Sequence, residues 1–281
     1  MTSGIEQLSQ RQRELLGEWL PGAEVVKDHS WGLVGTAVLE LLSDGARYGV
    51  KAGDENDRHL ARELRAHREW LGPWTARGRA PKLVHADEDA TLIVTRFLPG
   101  ELVEGTDHEW RPDTYQQAGE LLRWLHEQVA VEDAEFEARG RDKALWWLDQ
   151  PHRIAPDIAA RLREEVGSWP TPVITLVPTH GDWQPRNWLV YDDVVSVIDF
   201  GRADLRPALT DFARLSAQQF RTDPALEAAF LNGYGPDPRE PEAWRRNRIR
   251  EAIGTAVWAY RVHDEPFEQQ GHRMIAEALA N

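Results

Sequence analysis

The chain has 281 residues, 41% of them hydrophobic, and carries 33 Lys and Arg against 47 Asp and Glu, a formal net charge of -14 at pH 7. That length can bury one large core or two lobes; the lack of cysteine excludes disulfides and thiolate metal sites, and the acidity disfavours nucleic acid as a partner. No apolar stretch approaches the length that crosses a bilayer and no basic-then-apolar leader opens the chain, so the expectation is a soluble cytoplasmic protein, monomer or homodimer.

The acidity is uneven. Residues 1–98 carry 13 Lys and Arg against 15 Asp and Glu, whereas the remainder carries 20 against 32, net -12. A field of that sign attracts cations, although acidic surfaces also serve solubility. Arg outnumbers Lys 29 to 4, so each lysine invites a reason.

In chain order, Ile5, Leu8, Leu15, Leu16 and Trp19 predict a helix from Ile5 to Trp19, closed by Pro21-Gly22. A strand over residues 24–27 leads into a loop from His29 to Gly35. A hairpin follows, with arms over 36–42 and 46–52 around Ser43-Asp44-Gly45. Gly32 and Gly35 let the loop backbone approach a phosphate closely, but two glycines alone read equally well as an ordinary turn. Lys51 ends the second arm. Residues 58–71 read as a helix with Leu60, Leu64, His67 and Leu71 at helical spacing, carrying Glu63 and Glu69. Strands at 83–84 and 91–95 flank Asp87-Glu88-Asp89 and run into Arg96-Phe97-Leu98-Pro99-Gly100, where Pro-Gly punctuates the chain. We place a division there, with residues 1–98 in one unit, 99–281 in the other, and a hinge near 95–100.

The second unit opens with a helix over 115–127, on which Tyr115, Ala118, Leu121, Leu122 and Leu125 keep the 3.6 period. Helical, polar material follows over 129–170, broken at Pro151, Pro156 and Pro170. Next comes His180-Gly181-Asp182-Trp183-Gln184-Pro185-Arg186-Asn187, then two β-branched runs around Tyr191-Asp192-Asp193, then Asp199-Phe200-Gly201. The runs predict a tight antiparallel hairpin. Asn187 and Asp199 are each six residues from position 193 and so should sit nearly opposite each other at its open end, a separation suited to two ligands of one metal. A carboxylate that accepts a hydroxyl proton, an amide and a second carboxylate are what phosphoryl transfer requires. Asp182 precedes Asn187 by the base-to-Asn spacing of the kinase catalytic loop. His180 reads as a loop scaffold rather than a titrating group. Asp211 precedes an apolar-periodic helix over 212–220 and reads as its N-cap. The last helices span 241–260 and 266–279.

These motifs resemble the aminoglycoside phosphotransferase family, the small-molecule branch of kinase-like enzymes that includes choline, homoserine and methylthioribose kinases. The resemblance implies an α+β, two-lobed protein-kinase-like fold with an N-terminal sheet lobe and a mainly helical C-terminal lobe. It also implies Mg²⁺, ATP or GTP as donor, and a hydroxyl of a small, often cationic, acceptor. On that resemblance Asp182 is the base, Asn187 and Asp199 hold the metal, Lys51 binds the α- and β-phosphates and Glu63 pairs with Lys51. Gly32 and Gly35 would cover the phosphates, main-chain groups of Arg96 and Leu98 would read the base, and Asp211 would support the catalytic loop. The chain departs from protein kinases in having no Ala-Pro-Glu segment after Gly201, which lowers the prospect of a protein substrate. For a cationic acceptor, Asp264, Glu265 and Glu268 are candidate carboxylates, and Trp183 and Trp258 candidate aromatic faces, although Asp264 and Glu265 could equally cap the final helix. The expectation is a phosphotransferase acting on a cationic antibiotic, an aminoglycoside or a cyclic peptide of the capreomycin and viomycin type. The alternatives are a metabolic small-molecule kinase and an inactive, ligand-sequestering pseudokinase.

Overall fold

A computed structural model describes residues 4–30, 35–55 and 57–280. The chain enters through a 3-10 turn at Gly4–Gln7, then α1 (Gln10–Trp19). The single helix expected from Ile5 is thus interrupted. Ser9 accepts from the Gln12 N–H while the Gln12 side chain returns to the Ser9 N–H, a capping box that starts the helix anew.

Strands β1 (Glu24–Asp28), β2 (Ala37–Ser43), β3 (Ala46–Ala52), β4 (Leu83–Asp87) and β5 (Leu92–Arg96) form one antiparallel sheet in the order β1-β2-β3-β5-β4. The β2–β3 turn has Asp44 at φ 49° and Gly45 at φ 72°, the two left-handed residues that match the twist of a two-residue hairpin. Helix α2 (Arg58–Glu69) is capped by Asp57, whose carboxylate accepts from the His59 and Leu60 N–H groups. Leu60 and Leu64 on α2 pack against Ile93 of β5, and the short α3 (Gly72–Thr75) follows. α3 carries Trp74 away from the sheet. Its ring is fully buried with Trp183 and Phe200, and its indole donates to the Leu121 carbonyl at 3.0 Å.

The remaining chain is mainly helical. β6 (Glu101–Leu102) precedes α4 (Pro112–His126). Next come β7 (Val131–Asp133), α5 (Phe136–Leu148), α6 (Pro156–Gly167) and β8 (Ile174–Thr179). The expectation of helix throughout 129–170 is therefore corrected at β7, which pairs antiparallel with β8. β9 (Trp188–Tyr191), β10 (Val194–Val197) and β11 (Asp204–Arg206) follow, and β10-β9-β6 and β11-β8-β7 form two small sheets. The chain ends through α7 (Ala213–Ala217), α8 (Gln219–Thr222), α9 (Pro224–Tyr234), α10 (Pro241–Val262) and α11 (Glu265–Ala280). The continuous helix expected over 212–220 is instead a 3-10 turn and two short helices. Among the described residues no helix is long and apolar enough to cross a membrane.

α4 and α9 pack with their backbones nearly touching. A Cβ at Gly119 would lie 2.1 Å from the Phe230 carbonyl oxygen, and one at Gly233 would lie 2.0 Å from that of Gln116. This approach lets Tyr234 reach His126 of α4 at 2.9 Å, and the other ring nitrogen of His126 lies 3.2 Å from the Asp211 carboxylate. Asp211 is 2% exposed. It is not the expected N-cap: its two oxygens accept the backbone N–H of His180 at 2.8 Å and of Gly181 at 2.7 Å. Burial works to raise its pKa, but His126, His180 and these donors hold it below the ordinary carboxylate value.

Two outcomes follow from this packing. Gly233→Ala should lose about 3 kcal/mol, the upper end of overpacking costs, because the atom met is backbone; an unshifted denaturant midpoint would show that the helices can spread. Asp211→Asn should lose about 2–3 kcal/mol at neutral pH, as a charge-assisted acceptor becomes a partial donor. Since the Asp211 pKa is depressed on folding, its stabilisation is present above the ordinary value near 4 and is lost as pH falls through the folded value. Midpoints of the two proteins measured against pH should converge only below about pH 4, and a gap that closes nearer neutrality would contradict this assignment.

Candidate active site

The loop that carries Asp182 runs from the end of β8 to the start of β9. Gly181 sits at φ 79°, and a Cβ there would lie 2.4 Å from the Arg202 carbonyl oxygen, so conformation and space both require glycine. His180 is fully buried. Its ring bonds the Ile198 carbonyl at 3.1 Å through Nε2 and meets the Asp182 N–H at 3.3 Å through Nδ1. It also contacts Trp183 and Phe200 edge-on, a geometry of support.

Asp182 is 5% exposed. Its Oδ1 accepts from Gln184 Nε2 at 2.7 Å, and its Oδ2 accepts from Arg186 Nη2 at 2.7 Å and Asn187 Nδ2 at 3.1 Å. Arg214 Nε lies 3.7 Å from Oδ1. Burial alone would raise the Asp182 pKa, but Arg186, Arg202 and Arg214 together depress it, leaving the carboxylate ionised at neutral pH. Asn187 Nδ2 also donates to the Asp182 carbonyl at 2.7 Å, which orients the amide and leaves its oxygen as the group available to a cation.

The β9–β10 register differs from the expectation by one residue. Tyr191 pairs with Val194 and Trp188 with Val197, and the two-residue turn is Asp192-Asp193, at φ 47° and 59°. The hairpin is therefore centred between these residues rather than on Asp193. Asn187 stands opposite Ile198, whose N–H donates to its carbonyl at 3.0 Å, and Asp199 is displaced by one position. Asp199 itself is left-handed, at φ 66°, a conformation that Asp tolerates better than most residues.

Lys51 on β3 joins the two lobes. Its Nζ lies 2.8 Å from Glu63 of α2 and 3.1 Å from Asp199. Burial would lower the lysine pKa, but the two carboxylates hold it well above its usual value. In return Lys51 draws Asp199 down to about 2. The Asp199 side chain is about half exposed, at 54%, so solvent screening moderates that pull. The Asn187 amide oxygen and the Asp199 carboxylate are hard oxygen donors of the type magnesium prefers. Among the described residues no trio of His, Cys, Asp or Glu could hold a metal unaided.

Other expected residues fare differently. Gly32 lies outside the described residues. A Cβ at Gly35 would meet only Asp54, at 3.6 Å. The Arg96 N–H is spent on the Lys82 carbonyl at 2.8 Å and so is not free for a base edge, and its guanidinium covers the Tyr48 ring at 4.6 Å; Leu98 is half-buried beyond it.

Trp183 is corrected from acceptor face to core. It is 0% exposed and packed among Trp74, Trp188 and His180. Glu268 is likewise corrected: it is buried in a two-pronged pair with Arg153, at 3.0 and 2.6 Å. Asp264 accepts the Phe267 N–H at 3.1 Å, a cap of α11. Asp264 and Glu265 remain exposed, and Trp258, 43% exposed, contacts Phe267 edge-on. That wall borders the site, because Arg214 lies over Phe267 at 5.7 Å.

Gln184, Arg186 and Arg214 were not singled out from sequence. Arg186 carried a local signal, four residues after Asp182 inside the motif. Arg214 carried none, since its contact depends on how residues 207–214 fold back.

The fold recurs in solved structures. A thermostable mutant of aminoglycoside phosphotransferase APH(4)-Ia in its apo form aligns at 13% identity, 95% of this chain and 98% of that one, with a TM-score of 0.69. Spectinomycin phosphotransferase APH(9)-Ia, solved with ADP and spectinomycin, aligns at 15% identity over 96% and 97%, TM-score 0.63. A choline/ethanolamine kinase family protein from Mesorhizobium loti aligns at 22% identity over 95% and 90%, TM-score 0.62. These likenesses establish the two-lobed kinase-like fold. No curated protein matches the chain. The pattern of the phosphotransferase enzyme family matches residues 33–245, most of the chain including Lys51, Asp182, Asn187 and Asp199, and the protein belongs to that family.

Proposed function

We propose that the protein transfers the γ-phosphoryl group of a nucleoside triphosphate to a hydroxyl of a small molecule. The observation that carries this reading is the convergence of Lys51, Glu63 and Asp199 across the lobes, beside Asp182 and Asn187. Lys51 secures the α- and β-phosphates, and Asp182 orients the acceptor hydroxyl and takes its proton. Asn187 and Asp199 would hold Mg²⁺, which supplies charge neutralisation to the phosphates when bound. The lowered Asp182 pKa keeps the group ionised, so the hydroxyl is positioned first and its proton passes over as the bond forms.

A cationic antibiotic is the acceptor class favoured by the net -12 of residues 99–281. Exposed Asp264, Glu265 and Trp258 beside the site support it, as do neighbours named for aminoglycosides and spectinomycin. One observation favours a metabolic small-molecule kinase with an uncharged or acidic acceptor: three guanidinium groups, Arg186, Arg202 and Arg214, surround Asp182. Amines of a cationic acceptor would have to lie beyond them, at the α11 rim. The intact Lys51, Asp182, Asn187 and Asp199 speak against a sequestering pseudokinase.

The deciding experiment offers ATP and GTP with a panel of aminoglycosides, capreomycin-type peptides, amino alcohols and hydroxy acids, and reads acceptor-dependent ADP or GDP release and product mass. Addition of one phosphoryl group to a panel member is expected; ligand binding without turnover would instead favour sequestration. Asp182→Ala should retain nucleotide binding and lose turnover by on the order of 10²–10⁴, whereas a near-normal kcat would remove Asp182 from the chemistry. Asp199→Ala should weaken nucleotide binding by about tenfold or more in Mg²⁺ and much less in EDTA; equal calorimetric losses in both would exclude a metal role.

A further inference from the structure

A transferring phosphoryl group must pass between Asp182 and Asp199, two carboxylates that both repel it. Lys51 is already shared between Glu63 and Asp199. Arg214 leans over Phe267 and is one-fifth exposed. Arg186 differs from both. Its Nη2 bonds the base at 2.7 Å, its field acts on Asp199 as well as on Asp182, and its side chain is 40% exposed. A guanidinium has five N–H donors, and among the described residues one of them, on Nη2, makes a hydrogen bond.

We propose that Arg186 is a catalytic residue that grips the transferring phosphoryl group with its remaining N–H donors while keeping its bond to Asp182. The proposal rests on the phosphotransferase reading and extends it. In the step, the bond from Pγ to the β–γ bridging oxygen breaks and a bond from Pγ to the acceptor oxygen forms. The acceptor proton passes to Asp182, and the nucleoside diphosphate leaves with the electron pair of the broken bond. Negative charge spreads over the three equatorial oxygens, where a planar cation fits two at once. Because Arg186 lies on the same short turn as Asp182 and Asn187, its grip on the phosphoryl group aligns base and phosphorus in one motion. No element from elsewhere in the fold need close over the site to deliver the charge. Arg186 is thus an arginine supplied in cis, from within the loop that carries the base.

The test uses the full chain and two probes, Mg·ADP and Mg·AMP-PNP, which differ at the γ position. Calorimetry on wild type, Arg186→Met and Arg186→Lys should show ADP affinity within about threefold throughout. AMP-PNP affinity should fall about 10- to 100-fold in Arg186→Met and less in Arg186→Lys, which keeps charge without the fork. With an acceptor from the panel, kcat should fall about 10³-fold in Arg186→Met with little change in acceptor KM. Equal effects on both nucleotides, or none, would overturn the proposal and leave Arg186 as a residue that merely positions Asp182. Should the Met variant fail to fold, the selective loss of AMP-PNP in the Lys variant decides. A wild type that binds neither nucleotide would instead overturn the phosphotransferase reading itself.

Discussion

The geometry of the site depends on one buried carboxylate. Asp211 accepts two successive backbone N–H groups, those of His180 and Gly181, just where Gly181 turns left-handed. Such a turn leaves adjacent donors pointing the same way, and without an acceptor each would be buried unsatisfied at a cost of about 1–3 kcal/mol. One carboxylate satisfies both, and so fixes the direction in which the chain leaves β8. Asp182 is the next residue, with no freedom left to adjust. Asp211 is in turn held by His126, and His126 by Tyr234, which ties the Asp182 loop to the contact between α4 and α9. Glycine is needed in that contact for the same reason: the loop is placed by distances between backbones, which side-chain repacking cannot recover.

Charge within the site is arranged in opposed pairs rather than as a single field. Asp199 faces Lys51, Glu63 faces the same lysine, and Asp182 faces Arg186 and Arg214. Buried pairs of this kind add little net stability, because desolvation offsets their attraction. Their contribution is directional: each acid is aimed, and Asp182 and Asp199 are kept ionised, while burial pushes the Glu63 carboxyl up against the pull of Lys51. The net acidity of residues 99–281 lies elsewhere, and next to Asp182 the local balance is positive. The net charge of 183 residues can therefore draw a cation toward the molecule without setting the charge balance in the few ångströms around Asp182.

Much of this was legible in the chain, and the limits have physical causes. The Asp182–Asn187 spacing, the Asp199-Phe200-Gly201 triplet, Lys51 and the hairpin patterns depend on local periodicity, and the structure places them together. The hairpin register slipped because Asp192 and Asp193 share one two-residue turn, so its centre falls between residues; a period-two element turns half a residue of error into a different partner. Trp183 was misread because an aromatic beside a base has the same local pattern whether it faces solvent or core. Its burial is decided by Trp74, which arrives from α3, more than a hundred residues earlier. Glu268 was misread for the same reason, its partner Arg153 being 115 positions away. Asp211 looked like a cap because Asp before a helix usually is one; nothing local announces that two N–H groups thirty residues upstream compete for its oxygens.

The same long-range logic places α2 at the centre of the interlobe contact. His59 Nδ1 lies 3.0 Å from the Gly201 carbonyl, Glu63 binds the lysine that binds Asp199, Arg65 bonds Asp204 at 2.6 Å, and the His67 ring meets Phe200 edge-on. One helix thus touches the segment 199–204 directly at three points over two turns and reaches Asp199 through Lys51. A shift of α2 must then be felt by Asp199, whose left-handed backbone is stable only while its neighbours hold it. Lys51 lies at the junction, yet in its proposed role it need not surrender either partner. An ammonium has three donors, and Glu63 and Asp199 engage two of them. Among the described residues the third has no partner, which suits the phosphate contact proposed above.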